Sequence, residues 1–280
     1  MSDPRVAVVT GGASGIGLGL ARVFAARGAA VALADVEPEA LDDAVSAIEA
    51  AGGRAIGMIV DVGDAEAVDE LAARTEADLG PVDVVCNNAG VGVNGPSWQA
   101  SLADWRWVLD VNLWGVIHGV RAFVPGMVER GRGHVVNTAS LAGLVSYPEM
   151  GVYNVSKHGV VTLSETLWHE LKRDDTGVGV TVVCPGLVNT RIIESDRNRP
   201  ERHRSGRDQM TGSSEERRAA ARAIYGQAMS PDDLATVVVD AVAADELNVI
   251  PDAAYDHRLA QRHDAIRGRH DPEVIRFPLS

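Results

Sequence analysis

Seven short valine-rich runs, separated by longer stretches of helical periodicity, limit what this chain can fold into. The runs are residues 6–9, 30–33, 55–60, 82–86, 134–137, 178–184 and 247–250. Each is continuously apolar, which is how strands buried on both faces read. Helical patterns fill the gaps at about 15–28, 38–51, 64–79, 103–130, 153–173 and 232–244. Asp64 and Asp232 stand where N-caps are expected, and Gly28 and Gly52 where helices stop. This alternation predicts an α/β fold, doubly wound: a seven-stranded parallel sheet with helices on both faces. No repeat or linker divides the chain, so residues 1–280 read as one domain. Residues 191–226 hold nine arginines and no strand-like run, and read as an insertion or substrate lid. A C-terminal tail follows from about 252.

Charge narrows the partners. The 280 residues carry a formal net charge of −13, which argues against nucleic acid or an anionic membrane, since both need a basic face. The charge is uneven: residues 191–222 hold 9 basic and 6 acidic side chains, against 12 and 23 in residues 1–190. Cys86 and Cys184 lack neighbours at metal-ligand spacing, so a disulfide scaffold and a metal site are both disfavoured. Met1 to Arg5 leads into an apolar run too short for a secretory leader, and the uncharged stretch 84–103 is broken by Asn, Gly and Pro. The expected location is the cytoplasm.

Between the first run and the first helix lie Thr10, Gly11, Gly12, Ala13, Ser14, Gly15, Ile16 and Gly17. Glycines there permit a tight bend and close approach of a ligand, and helix N-terminal N–H groups favour a pyrophosphate. Taken alone, the turn also reads as a tight connection. Asp35, 18 residues past Gly17, could accept from ribose hydroxyls and repel a 2′-phosphate. No Arg or Lys occupies 11–21 or 28–53, so the inference is NAD over NADP. Asp35 could instead cap a helix.

Tyr153 and Lys157 share a helix face at i, i+4. With four tyrosines and two lysines in 280 residues, chance gives this pair roughly 0.03 times. Ser140 lies 13 residues upstream, just past the fifth run, on the carboxyl edge where ligands bind in such sheets. Alcohol–ketone exchange moves a hydride and a proton together; the cofactor carries the hydride and the protein relays the proton. A tyrosine near pKa 10 is a poor base, and a neighbouring ammonium and a cationic nicotinamide would lower that value.

These motifs together resemble the short-chain dehydrogenases/reductases of the compact, single-domain Rossmann type, over about residues 5–190 by motif and 232–250 by pattern. The resemblance implies that Gly11, Ser14, Gly15, Ile16 and Gly17 form the cofactor turn and that Asp61 and Val62 contact adenine. It implies that Asn88, Ala89 and Gly90, within Asn87–Gly90, are the structural signature beside the cofactor. Pro185, Gly186, Leu187, Val188, Asn189 and Thr190 resemble the segment that holds the nicotinamide amide. It implies Tyr153 as general acid/base, Lys157 on the nicotinamide ribose, Ser140 on the substrate oxygen, and Asn112 shaping a helical kink and a water relay. Hydride would pass on the pro-S face.

Around this site, Trp98, Tyr147, Pro148, Glu149, Met150 and Leu187 are candidates to face the substrate, and Ile192, Ile193 and Met210 to add apolar contact. Trp98 equally fits loop packing. Trp105, Trp114 and Trp168 fall on long helices that such proteins pair between subunits, as homodimers or homotetramers; intrachain core is the alternative. Arg197, Arg199, Arg202, Arg204 and Arg207 could recruit an anionic substrate or form a mobile, solvated loop. His169-Glu170 lacks the second His of a metalloprotease, and no Gly-x-Ser-x-Gly exists. The expectation is an NAD-dependent enzyme interconverting a secondary alcohol and a ketone, with a medium-sized, mostly apolar substrate. Alternatives are a carbonyl reductase consuming NADH, an idle NAD-binding regulator, and a lyase or epimerase using the cofactor transiently.

Overall fold

The computed structural model describes residues 5–204 and 215–275, with backbone alone at 215–218. Seven parallel strands run β1 Val6–Thr10, β2 Ala30–Asp35, β3 Arg54–Ile59, β4 Val84–Asn87, β5 Gly133–Thr138, β6 Val178–Val183 and β7 Asn248–Val249. Their order is β3-β2-β1-β4-β5-β6-β7. The predicted strands are all present, shifted by a residue or two at their ends; β7 is cut to a single pair of residues. The helices are α1 Gly15–Ala26, α2 Pro38–Ala50, α3 Ala65–Asp78, α4 Leu102–Leu109, α5 Gly115–Glu129, α6 Gly151–Arg173, α7 Glu215–Gly226, α8 Pro231–Ala244 and α9 Asp256–Gly268.

Alternate residues of each strand enter different cores, because successive side chains point to opposite faces. Val9, Val31, Leu33, Cys86 and Val136 pack with Leu20 and Phe24 of α1, Leu41 and Ile48 of α2, and Leu234 and Val238 of α8. Val8, Ala32, Val85, Val135 and Val180 pack with Leu71 of α3, Phe123 and Met127 of α5, and Leu167 and Leu171 of α6. Both faces are therefore apolar, which is why the runs lack alternation. The strand order reverses between β1 and β4, the place where such sheets open a ligand crevice at their carboxyl ends.

Two local expectations change, at Asp232 and over residues 103–130. Asp64 does cap α3, accepting from the Glu66 and Ala67 N–H groups. Asp232 does not cap α8; Ser230 does, with Pro231 in the first turn, so the helix starts earlier. The predicted helix over 103–130 is broken by a π-helical turn at Asp110–Trp114. Residues 191–226 contain two short 3-10 turns, Ile192–Asn198 and Glu201–His203, and helix α7, and the region after 252 contains α9. Among the described residues no helix is long and apolar enough to cross a membrane, and no group of His, Cys, Asp and Glu could hold a metal ion. Both cysteines are free and buried.

Candidate active site

The carboxyl ends of the strands open onto a cavity of about 570 Å³, within the range of small-molecule sites. Its floor at one end is the glycine turn. Gly11 and Gly15 have φ of +64° and +53°, which a side chain would strain. A Cβ on Gly11 would lie 2.9 Å from the Ala89 Cα, and one on Gly15 3.0 Å from the Thr190 methyl. Gly11, Ser14, Gly15 and Ile16 line the cavity, whereas Gly17 does not. Gly17 is needed beneath the turn, where any side chain would collide with the Gly11 carbonyl.

Thr10 ties this turn to the loop after β4. Its hydroxyl accepts from the Asn88 and Ala89 N–H groups at 2.9 and 3.1 Å, and the Asn88 amide donates to the Thr10 carbonyl at 3.0 Å. Asn87 in turn donates to Asn137 across β4 and β5. The signature asparagines are thus partly explained without a ligand: they fasten three strands at the crevice mouth. Asn88, Ala89, Gly90, Asp61, Val62, Pro185, Gly186, Leu187, Val188 and Thr190 all reach the cavity wall.

Asp35 caps no helix with its side chain. Its carboxylate accepts from the Ala13, Val36 and Glu37 N–H groups, at 3.0, 2.7 and 3.2 Å, and still lines the cavity. The absence of cations near Asp35 in the linear sequence does not carry over to the cavity, whose wall also holds Arg191 and Arg197 from far along the chain. Both are held by Glu37, Arg197 at 2.7 Å and Arg191 at 3.5 Å, with Asn198 donating at 2.8 Å. Burial alone would raise the Glu37 carboxyl, but the bonds from Arg197 and Asn198 keep it below its ordinary value.

The Arg run is also placed differently from either expectation. Arg202 pairs with Asp61 at 2.6 Å, so it lies along the adenine side of the cleft. Arg199 has only 4% of its side chain exposed; it pairs with Asp104 at 2.7 Å and stacks over Trp107 at 5.0 Å. Arg204 pairs with Glu201 on the surface. Arg207 and Met210 lie outside the described residues. Arg197, Arg202 and Arg199 are thus held by acids at the carboxyl edge of the sheet and on α4.

At the other end stand the catalytic candidates. Tyr153 and Lys157 sit in the first two turns of α6, and the Lys157 ammonium lies 5.6 Å from the Tyr153 ring centre. Ser140 follows β5 and hydrogen-bonds to Tyr153. All three line the cavity. Lys157 donates to the Thr138 carbonyl at 2.8 Å, which draws the ammonium towards Gly90. Burial governs both titrations: it pushes the Tyr153 phenol up, opposed by the Ser140 bond, and brings the Lys157 ammonium down to about 8. The ammonium and the charge of a bound nicotinamide favour the phenolate, and burial in this fold opposes them.

Asn112 is fully buried, off the cavity wall, within the π-helical turn. Its side chain accepts from the Val91 N–H at 2.8 Å, and donates to the Val91 carbonyl at 2.9 Å and the Ser156 hydroxyl at 3.1 Å. Ser156 donates to the Tyr153 carbonyl at 2.7 Å. Through these bonds Asn112 ties the π-helical turn and the loop after β4 to the start of α6.

Met150 and Tyr147 line the cavity, as do Ile192 and Ile193. Trp98 does not: it is 84% exposed, in a loop tip away from the wall. Among the helix tryptophans, Trp114 is half exposed and Trp105 and Trp168 are partly buried, while Trp107 is core. Sequence reasoning missed Glu37, Tyr225, Tyr255 and Arg258 on the wall. Only tyrosine scarcity could have pointed to two of them.

Residues 5–201 match the family model described as short chain dehydrogenase. A 1-deoxy-11-beta-hydroxypentalenate dehydrogenase of Streptomyces exfoliatus is 42% identical over 68% of this chain and 70% of that protein. A C alpha-dehydrogenase of Sphingobium sp. is 36% identical over 88% and 80%. A solved short chain dehydrogenase/reductase from Burkholderia phymatum, in complex with NAD, superposes with a TM-score of 0.93 at 38% identity, covering 98% of both chains.

Proposed function

Because the chain belongs to the short-chain dehydrogenase family, an oxidoreductase family acting on CH–OH groups, we propose that it oxidises a medium-sized, mostly apolar secondary alcohol to a ketone with NAD. The observation that carries this reading is the Ser140–Tyr153–Lys157 cluster, which faces the same cavity as the glycine turn. The cradle fits a dinucleotide: bare backbone at Gly11 and Gly15, Asp35 at the ribose end, Lys157 and Thr190 at the nicotinamide end. When bound, the cofactor would supply its nicotinamide ring as the hydride acceptor.

This chain's residues handle the proton. Ser140 holds the substrate oxygen. Tyr153 takes the hydroxyl proton as the hydride leaves, and Lys157 steadies the phenolate that the oxidised ring's charge already favours. Asn112 positions the helix start through Ser156 and Val91. Asp35 prefers a free 2′-hydroxyl, which supports NAD over NADP. The 191–226 segment acts as a lid, and the region from 252 closes the substrate end. Burial of the Tyr153 phenol, which favours its protonated form, is what supports the reverse direction, ketone reduction. The protein works as a cytoplasmic homodimer or homotetramer, with half-exposed Trp114 near the pairing face.

A panel of secondary alcohols, read by NADH absorbance, tests this. NADH should appear with NAD, far less with NADP. Tyr153→Phe should lower kcat by about 10²- to 10⁴-fold and leave NAD affinity unchanged. A Tyr153→Phe variant with near-normal turnover would overturn the assignment.

A further inference from the structure

All four tyrosines of the chain line the cavity. Tyr153 is in the catalytic cluster, and the other three come from separate segments: Tyr147 before α6, Tyr225 in α7, and Tyr255 just before α9. They form a succession along the wall. Tyr153 lies within electrostatic reach of Tyr225, Tyr225 of Tyr255, and Tyr255 of Tyr147. Tyr255 packs against Gly186, where a Cβ would lie 3.0 Å from its ring. That places it beside the segment expected to hold the nicotinamide.

At the end of this succession stands Arg258, close enough to Tyr147 to act on its phenol. It lies three residues beyond Tyr255 in the first turn of α9, so the two share a face. Four arginines are on the cavity wall among the described residues: Arg191, Arg197, Arg202 and Arg258. The first three are paired with Glu37 or Asp61. Arg258 is half-buried and makes no ion pair or hydrogen bond with any described residue. Leu141, Met150, Leu187 and Ile224 make the surrounding wall apolar.

A partly desolvated guanidinium without an anion is costly, and its planar fork matches a carboxylate. Among the described residues Arg258 is the one wall arginine without an acidic partner, which suits one negative charge, not a dianion. We infer that Arg258 is the anchor for a carboxylate on the substrate, with tyrosine hydroxyls beside it, so that the alcohols this chain takes are apolar hydroxy acids. This deepens the proposed function and rests on it for the reacting end of the substrate.

The test compares 4-hydroxycyclohexanecarboxylate with its methyl ester, in turnover with NAD. It also compares cyclohexanecarboxylate with its methyl ester, in calorimetric binding to the NAD-loaded protein. The wild type should favour the acid at least about tenfold in kcat/KM, through KM, and by a similar factor in Kd, as a charge-assisted bond would give. Arg258→Gln should bring both ratios close to one, and Arg258→Lys should recover part of them. An equal response to acid and ester in the wild type, no binding of either, or an undiminished ratio in Arg258→Gln would overturn the inference. Arg258-dependent binding of the acid without any NADH would uphold it and sink the oxidoreductase reading. Oxidation of cyclohexanol with no advantage from a carboxylate would do the reverse.

Discussion

Glu37 is the acid that pairs with both Arg191 and Arg197 on the cavity wall, two residues from Asp35. Glu37→Gln removes that charge but keeps hydrogen-bonding capacity. The NADP-to-NAD ratio of kcat/KM should rise at least about tenfold in this variant, since freed guanidiniums bind phosphate well. An unchanged ratio would mean that Asp35 alone decides. The Tyr153–Lys157 pair and the glycine turn were legible because each motif is local: i, i+4 spacing or a strand-to-helix turn. Glu37 was not, because its partners lie more than 150 residues away.

Among the elements, β5 and β6 carry a buried polar chain. His134 Nε2 donates to the Thr181 hydroxyl at 2.8 Å, which donates to the Glu246 carbonyl at 2.7 Å, tying both strands to the segment before β7. Burial, helped by Lys172, brings the His134 pKa down to about 4. The unfolded chain therefore binds the proton more readily between pH 6.5 and 4, and stability is lost as pH falls through that window. Full protonation should cost about 3 kcal/mol, seen as a falling unfolding free energy in urea. His134→Gln should flatten this slope; an equal slope in both proteins would contradict the account.

Arg199 fastens the segment after β6 to α4. Burial alone would raise the Asp104 carboxyl, but bonds from Ser101 and Arg199 keep it below its ordinary value. Arg199→Ala leaves a largely buried carboxylate without its cation and should lower unfolding free energy by about 3 kcal/mol or more. A loss under about 0.5 kcal/mol, the range of ordinary surface changes, would show that the pair is incidental. Strands and helices up to residue 190 were legible because hydrophobic period and burial coincide there. The 3-10 turns and α9 were not: α9 buries only Ala265 among its residues, so no apolar stripe announced it.

For the whole molecule, the uneven charge finds its use in folding. Among the described arginines of the basic stretch at 191–222, Arg191 and Arg197 reach back to Glu37, Arg202 to Asp61 and Arg199 to Asp104, while Arg204 and Arg222 pair with Glu201 and Glu194 of the same stretch. An acidic sheet edge and a basic segment thus close one crevice from two sides. The chain's net charge argues against a polyanionic partner, but the site's charge depends on contacts that composition cannot order. The crevice then holds a glycine cradle at one end and a tyrosine-lined chamber at the other, with Ser140, Tyr153 and Lys157 at the junction.

That arrangement makes one chemical claim: a hydride leaves the carbinol carbon and arrives on nicotinamide. An alcohol from the panel that turns over, deuterated at its carbinol carbon, tests this directly when the NADH it yields is examined by NMR. The account predicts one deuterium at C4, on the pro-S face, for every ketone formed. Ketone formed with no deuterium in NADH, or conversion without net NADH, would contradict it.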